Sequence, residues 1–308
     1  MKHAENIVKA SQPYTYELML SDIHGLVHAF PFLNVTTIGK SVLGKEIFAI
    51  SIGHGQNEVT YNASHHGAEW ITSLILMKFI EDYSTYFSMG TNFYGFNLQH
   101  IFDNTTIRIV PMVNPDGVNL NIRGLTSENM EYHDRLLKWN NGSYDFTHWS
   151  ANIHGVDLNH NYDAFWEVSR KQEPKYSIFG PSASKHSGEN AESEPETKAL
   201  ADFTRAHDFR LVIAFHSQGE EIYWDFANKA TEEAHDIAKK FRDISGYRIM
   251  GIAPGAASVG GYKDWFINKF NRPGFTVEVG LGENPLPMSQ FEEIYKKNVS
   301  IMLLGAVV

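Results

Sequence analysis

The chain contains no cysteine, which excludes disulfides, cysteine nucleophiles and thiolate metal sites. Any metal must be held by histidine, aspartate or glutamate. No 18 apolar residues run together, so no stretch reads as a membrane-spanning helix. The first residues, MKHAENIVKASQPYTYELML, lack the uninterrupted apolar core of a signal peptide. Positive charge is scarce: 26 Lys and Arg stand against 36 Asp and Glu, a net charge of −10, with no basic run to grip phosphate. Neither nucleic acid nor a membrane is expected as a partner. The expected location is cytoplasmic, with spore-linked turnover and unconventional export left open.

Apolar residues make up 43% of the 308, enough for a sizeable core, and the expectation is one domain over 1–308. Residues 10 to 40 carry a helical pattern that Pro31 and Gly39 break, after which SVLGKEIFAISIG alternates like a pair of strands. Further β-type runs, EVTYNAS, TIRIVPMV, RLVIAFHS and GFTVEVG, are separated by helical or loop sequence, the order of an α/β domain. Ser193 answered by Glu196 predicts a capping box and a helix start. The polar stretch from about Gly124 to Ser193 is poor in periodic signal, as segments lying over a cleft are.

Chemistry concentrates where YNASHHGAEW turns from strand to helix. His66 and Glu69 stand three apart, so both can face one point. Two ligands are too few for a catalytic zinc, which takes three protein ligands and leaves a fourth position for water. His216, where apolar RLVIAF gives way to polar HSQGEE, is the best third candidate, because ligands in open α/β sheets bind at the carboxyl ends of strands. Singly, each has a plainer reading, the HxxE as a solvated helix face and His216 as a strand-end histidine. His65 is read as a bystander. In GFTVEVG, Phe275, Val277 and Val279 share one face and leave Glu278 on the other, either paired structurally or kept for proton transfer.

Together HGAEW (66–70), NPDG (114–117), GVDLNHN (155–161), FHS (215–217) and FTVEVG (275–280) resemble the carboxypeptidase A-like zinc peptidase family over most of the chain. The resemblance implies a three-layer α/β/α fold with a central mixed, mostly parallel, twisted sheet. It implies one zinc ion on His66, Glu69 and His216, Glu278 as the base that activates water, and Asp157 orienting a ligand histidine. The family's carbonyl-polarising arginine falls on Lys138 of DRLLKWN, with Arg135 one turn earlier as the fallback.

Departures from the family bear on substrate. Where carboxypeptidases usually carry arginines, before the ligand glutamate and after the DLN asparagine Asn159, this chain has Ala68 and His160. A neutral histidine lacks the planar double donor that reads a carboxylate. The tyrosine expected eight residues before the DW pair is replaced by Ala256. These departures, with HSQGEEIYW and GYKDWFI, are similar to the bacterial γ-D-glutamyl-L-diamino acid endopeptidases, which cut cell-wall peptides. That likeness implies a peptidoglycan-derived peptide as substrate, with Gln218, Glu220 and Glu221 near it and Glu220, Glu221 and Asp225 reading its free amine. Cell-wall-binding repeats and a propeptide are not expected. The rivals are an ordinary carboxypeptidase or deacylase of the same fold and, in another class, a non-catalytic binder of cell-wall peptides. Diaminopimelate or lysine at the cut, and the oligomeric state, stay open.

Overall fold

Period-two alternation in the apolar runs resolves into eight strands of one sheet, described by a computed structural model that covers residues 6–251 and 259–308. The strands are β1 (Asn34–Lys40), β2 (Glu46–Ile52), β3 (Asn57–Ala63), β4 (Thr105–Val110), β5 (Phe209–His216), β6 (Glu221–Tyr223), β7 (Arg248–Met250) and β8 (Gly274–Glu278). Their order is β1-β2-β4-β3-β5-β8-β6-β7. The central pairs β4/β3, β3/β5 and β5/β8 are parallel, as is β6/β7. The pairs β1/β2, β2/β4 and β6/β8 are antiparallel.

The helices are α1 (Tyr16–Ala29), α2 (Trp70–Ser88), α3 (Leu98–Asn104), α4 (Pro115–Arg123), α5 (His133–Trp139), α6 (Trp166–Gln172), α7 (Pro195–Arg205), α8 (Glu232–Ser245), α9 (Tyr262–Phe270) and α10 (Phe291–Gly305). Side chains along β5 alternate between two cores. Leu211, Ile213 and Phe215 join a cluster with residues of α1, α2, α8 and α10, while Val212 and Ala214 join one with α7 and α9. The result is the expected three-layer α/β/α arrangement. Among the described residues no helix is long and apolar enough to cross a membrane.

Two local expectations change. Residues 34–40 are extended, because the β-branched run Val35, Thr36, Thr37 and Ile38 suits a pleated strand. Gly39 lies at an irregularity of register, and a Cβ there would come within 2.4 Å of Ala199 Cβ on α7. The helix predicted after Ser193 exists, but without its capping box. It starts at Pro195, its N-cap is Glu194, and Ser193 donates to the Glu194 carboxylate at 2.9 Å. Glu196 instead turns inward, accepting from Val42 N at 3.1 Å and Asn152 Nδ2 at 3.1 Å, because those buried donors need an acceptor.

From β3 the chain continues to β4 on one side, while from its other neighbour β5 it continues to β6 on the opposite side, so the connections leaving these two adjacent strands diverge and open a crevice at their carboxyl ends. The polar segment 124–193 supplies one wall of that crevice.

Candidate metal centre

His66 follows β3, and Gly67–Glu69 form a short 3-10 turn leading into α2. In such a turn side chains three apart eclipse, which brings His66 Nδ1 within 2.9 Å of Glu69 Oε1. The turn is pressed against α4: a Cβ on Gly67 would sit 2.4 Å from the carbonyl oxygen of Gly117. Asn114 caps α4 by accepting from Gly117 N at 2.9 Å and donates to the His65 carbonyl at 3.0 Å. NPDG is therefore the buttress that fixes HGAE.

His216 ends β5 and brings Nδ1 to 2.9 Å from Glu69 Oε2. Ligand atoms of His66, Glu69 and His216 all lie within 4.8 Å of one another, close enough to surround one ion. Asp157 Oδ1 meets His66 Nε2 at 3.0 Å, and its other oxygen accepts from Lys185 N at 2.8 Å. Bonding Nε2 to a carboxylate fixes the ring and turns Nδ1 to the centre.

Burial raises the Glu69 pKa, but His66 and His216 outweigh it and hold the carboxyl at about 2. Burial also opposes a charged His66, and Glu69 and Asp157 reverse that, pushing its pKa well above the ordinary value. Burial likewise opposes a charged Asp157, yet His66 and His160 keep its pKa well below the usual range. The carboxylates thus stabilise positive charge at this point. Two imidazoles and a carboxylate are a donor set that suits zinc.

Glu278 ends β8 directly opposite His216 in the ladder and, with His66 and Glu69, lines a cavity of about 480 Å³. Among the described residues no group hydrogen-bonds to its side chain. Burial, then the charge of Glu69, pushes its pKa well above the carboxylate range. His65 is outside the ligand set but not idle: it is fully buried, stacks on His216 with centroids 5.4 Å apart, and meets Tyr162 Oη at 3.0 Å.

The cavity brings together His66, Glu69, Asp157, Asn159, His160 and Glu278 from the predicted set. His160 Nδ1 is held by Ser169 at 3.1 Å. Lys138 and Arg135, expected at the carbonyl, are not in its lining. Lys138 lines a second cavity of about 620 Å³, which meets the first at Ser184, because α5 carries it away from the strand ends. Arg135 lies over the Tyr132 ring, 5.6 Å from its centroid.

The amine readers are also displaced. Glu220 pairs with Lys297 at 2.6 Å, and Glu221 is taken up by Tyr223 at 2.7 Å and Arg248 at 2.5 Å. Gln218 is exposed and outside the lining. Asp225 accepts from Phe226 N at 2.7 Å and Ala230 N at 3.0 Å, so it ties its own loop. Ala68 is buried and not part of the wall, and Ala256 lies outside the described residues.

Lys185, Tyr223, Lys263 and Asp264 were not foreseen as wall residues, although Asp264 belongs to the quoted DW pair. Asn284, which is not part of the wall, was not foreseen beside the ligands: its Nδ2 reaches Glu69 Oε1 at 3.4 Å and Ser217 O at 2.7 Å. No periodicity marks such residues, which arrive from separate loops.

Three converging ligand-type side chains, with a carboxyl group beside them that no described residue hydrogen-bonds, have the parts of a metal-assisted hydrolase. The zinc carboxypeptidase family model matches residues 19–300, and the chain belongs to that family: it is a metallopeptidase, a hydrolase of amide bonds. It is 43% identical to γ-D-glutamyl-L-diamino acid endopeptidase 1 of Lysinibacillus sphaericus over 299 residues, covering 97% of this chain and 74% of that one. Identity to carboxypeptidase B of Bos taurus is 26% over 281 residues, covering 83% of this chain and 61% of the relative. A crystal structure of thrombin-activatable fibrinolysis inhibitor matches with a TM-score of 0.73 at 17% identity, covering 98% of this chain and 76% of that one. At that identity it speaks for the fold.

Proposed function

We propose that this metallopeptidase hydrolyses the γ-D-glutamyl amide to the α-amine of an L-diamino acid in peptidoglycan-derived peptides. The observation that carries the reading is the His66, Glu69 and His216 cluster with Glu278 beside it, opening on a cavity with no arginine among its described lining residues. A peptidase that trims ordinary C-termini needs a planar double donor for the terminal carboxylate, and His160 occupies that part of the wall. The 43% identical relative, named for γ-D-glutamyl-L-diamino acid cleavage, supports the same substrate.

In this reading His66, Glu69 and His216 would hold one zinc ion and Asp157 keeps the His66 ring in place. Bound zinc supplies Lewis acidity toward the carbonyl and lowers the pKa of water. Burial and the charge of Glu69 favour a protonated Glu278, and the positive charge of bound zinc would offset them and leave it ionised, able to take the proton of the attacking water and return it to the leaving amine. Its position at the end of β8, beside the ligands and open to the cavity, suits that shuttle.

The test is to incubate the purified protein with L-Ala-γ-D-Glu-diamino acid peptides and, separately, with hippuryl peptides, and to weigh the products. Release of the free diamino acid is expected. Cleavage of hippuryl substrates alone would overturn the reading.

A further inference from the structure

Lys263 and Asp264 form an ion pair in the wall of the catalytic cavity, with Nζ to Oδ1 at 2.5 Å and side-chain exposures of 7% and 6%. Burying two charges costs several kcal/mol per ion, which their attraction often fails to recover, so such a pair is poor value as a structural device. Helix α9 does not call for it either. Lys263 is the second residue of the helix, where the amide dipoles present positive charge and disfavour a cation.

The pair is also incompletely satisfied. The Lys263 ammonium has three N–H groups. One points to the Asp225 carbonyl at 2.7 Å and one faces Asp264, which leaves a third. Among the described residues no group hydrogen-bonds to Asp264 Oδ2.

Space is kept in front of it. Gly261, the N-cap of α9, has φ −82°, a conformation open to any residue, so backbone geometry does not explain the glycine. A Cβ at 261 would stand 3.1 Å from both Asp264 Oδ2 and Asn159 Oδ1. The missing side chain keeps the approach to the pair open.

We propose that Lys263 and Asp264 are specificity residues that read a zwitterionic head group, the ammonium and carboxylate borne on one carbon at the far end of the leaving diamino acid. This rests on the function proposed above. The substrate's carboxylate takes the third N–H of Lys263 and its ammonium faces Asp264, giving two charge-assisted contacts in a nearly dry setting. A diaminopimelate leaving group carries this head. Lysine carries an ammonium alone, which leaves Lys263 unanswered and adds repulsion. Acylating the far amine, as cross-linking does, or amidating the far carboxylate removes half of the match.

The test compares kcat/KM for L-Ala-γ-D-Glu-meso-diaminopimelate, its far-carboxamide analogue and L-Ala-γ-D-Glu-L-lysine, in the wild type, Lys263→Met and the Lys263→Met/Asp264→Asn double variant. The double variant removes the buried charge stranded by the single change and guards against misfolding, checked by its thermal melt. A charged hydrogen bond contributes roughly 1.5–3 kcal/mol, so the wild type should prefer diaminopimelate over both others by about 10- to 150-fold, mainly in KM. In both variants that preference should collapse. Free meso-diaminopimelate should inhibit the wild type competitively and the variants at least tenfold more weakly. Equal rates for the three substrates in the wild type, or a preference that survives both variants, would overturn the assignment while leaving the proposed function standing. Failure of the wild type to cut any of the three peptides would instead overturn the proposed function and this inference with it.

Discussion

Glu278, half-buried, and Glu196, buried, are carboxylic acids whose pKa values both lie above the usual range, in contrasting surroundings. Glu196, at the start of α7, is fully enclosed. Burial, and then the charge of Asp116, raises its pKa from 4.5 to about 8, while Val42 N and Asn152 Nδ2 donate to its two oxygens. Glu278 shares the desolvation, but it opens on a cavity, stands beside three ligand-type side chains, and has no hydrogen-bonded partner among the described residues. A raised pKa therefore does not by itself mark a working group. Access does, because a proton carrier must touch the molecule that gives and takes the proton.

The largest effect should come from breaking the pair apart by mutation. Glu278→Gln should lower kcat by roughly 10²- to 10⁴-fold, the usual contribution of a positioned acid or base, with zinc content and thermal melt retained. Glu196→Gln should leave kcat near the wild-type value. Equal losses in the two variants would erase the distinction.

Asp157→Asn comes next. It weakens the anchor on His66 Nε2, and loss of such an outer partner typically costs 10- to 100-fold in metal affinity, read by competition with a chelator. An unchanged affinity would remove Asp157 from that role.

The enclosed acid should appear in stability. Its folded pKa of about 8 exceeds the usual 4.5, so the native state holds a proton that the unfolded chain has released between those values. Stability should therefore fall as pH rises from 4.5 toward 8, by on the order of a few kcal/mol from this group. Urea melts across that range should show the slope, and Glu196→Gln should flatten it.

The smallest effect is expected at Lys138. As it lines the neighbouring cavity, Lys138→Met should cost far less than the roughly 10²- to 10³-fold lost on removing an oxyanion donor. A loss of that size would return Lys138 to the reaction.

Legibility in the chain follows the range of the interaction. The alternation in RLVIAFH and GFTVE marked β5 and β8 because period two is local, and it also put His216 and Glu278 at strand ends. His66 and Glu69 were readable because three residues of a tight turn bring them together. Ser193 and Glu196 show where that logic stops: a local cap pattern was overridden when distant Val42 and Asn152 supplied the donors. Lys138 matched a motif position by count, yet the orientation of α5 decides which cavity a side chain meets.

The sequence by itself determined the α/β order through local alternation, and its spacing offered His66, Glu69, His216 and Glu278 as candidates that the family motifs joined into one expected site, since each signal depends on a few neighbouring residues. Tertiary structure alone decided which polar groups complete the wall. Lys185 from the long polar segment, Tyr223 from β6, and Lys263 and Asp264 from α9 meet only when the sheet gathers its loops at one end. Their distances in the chain leave no period to read, and the energy of a buried charge depends on what folding places around it.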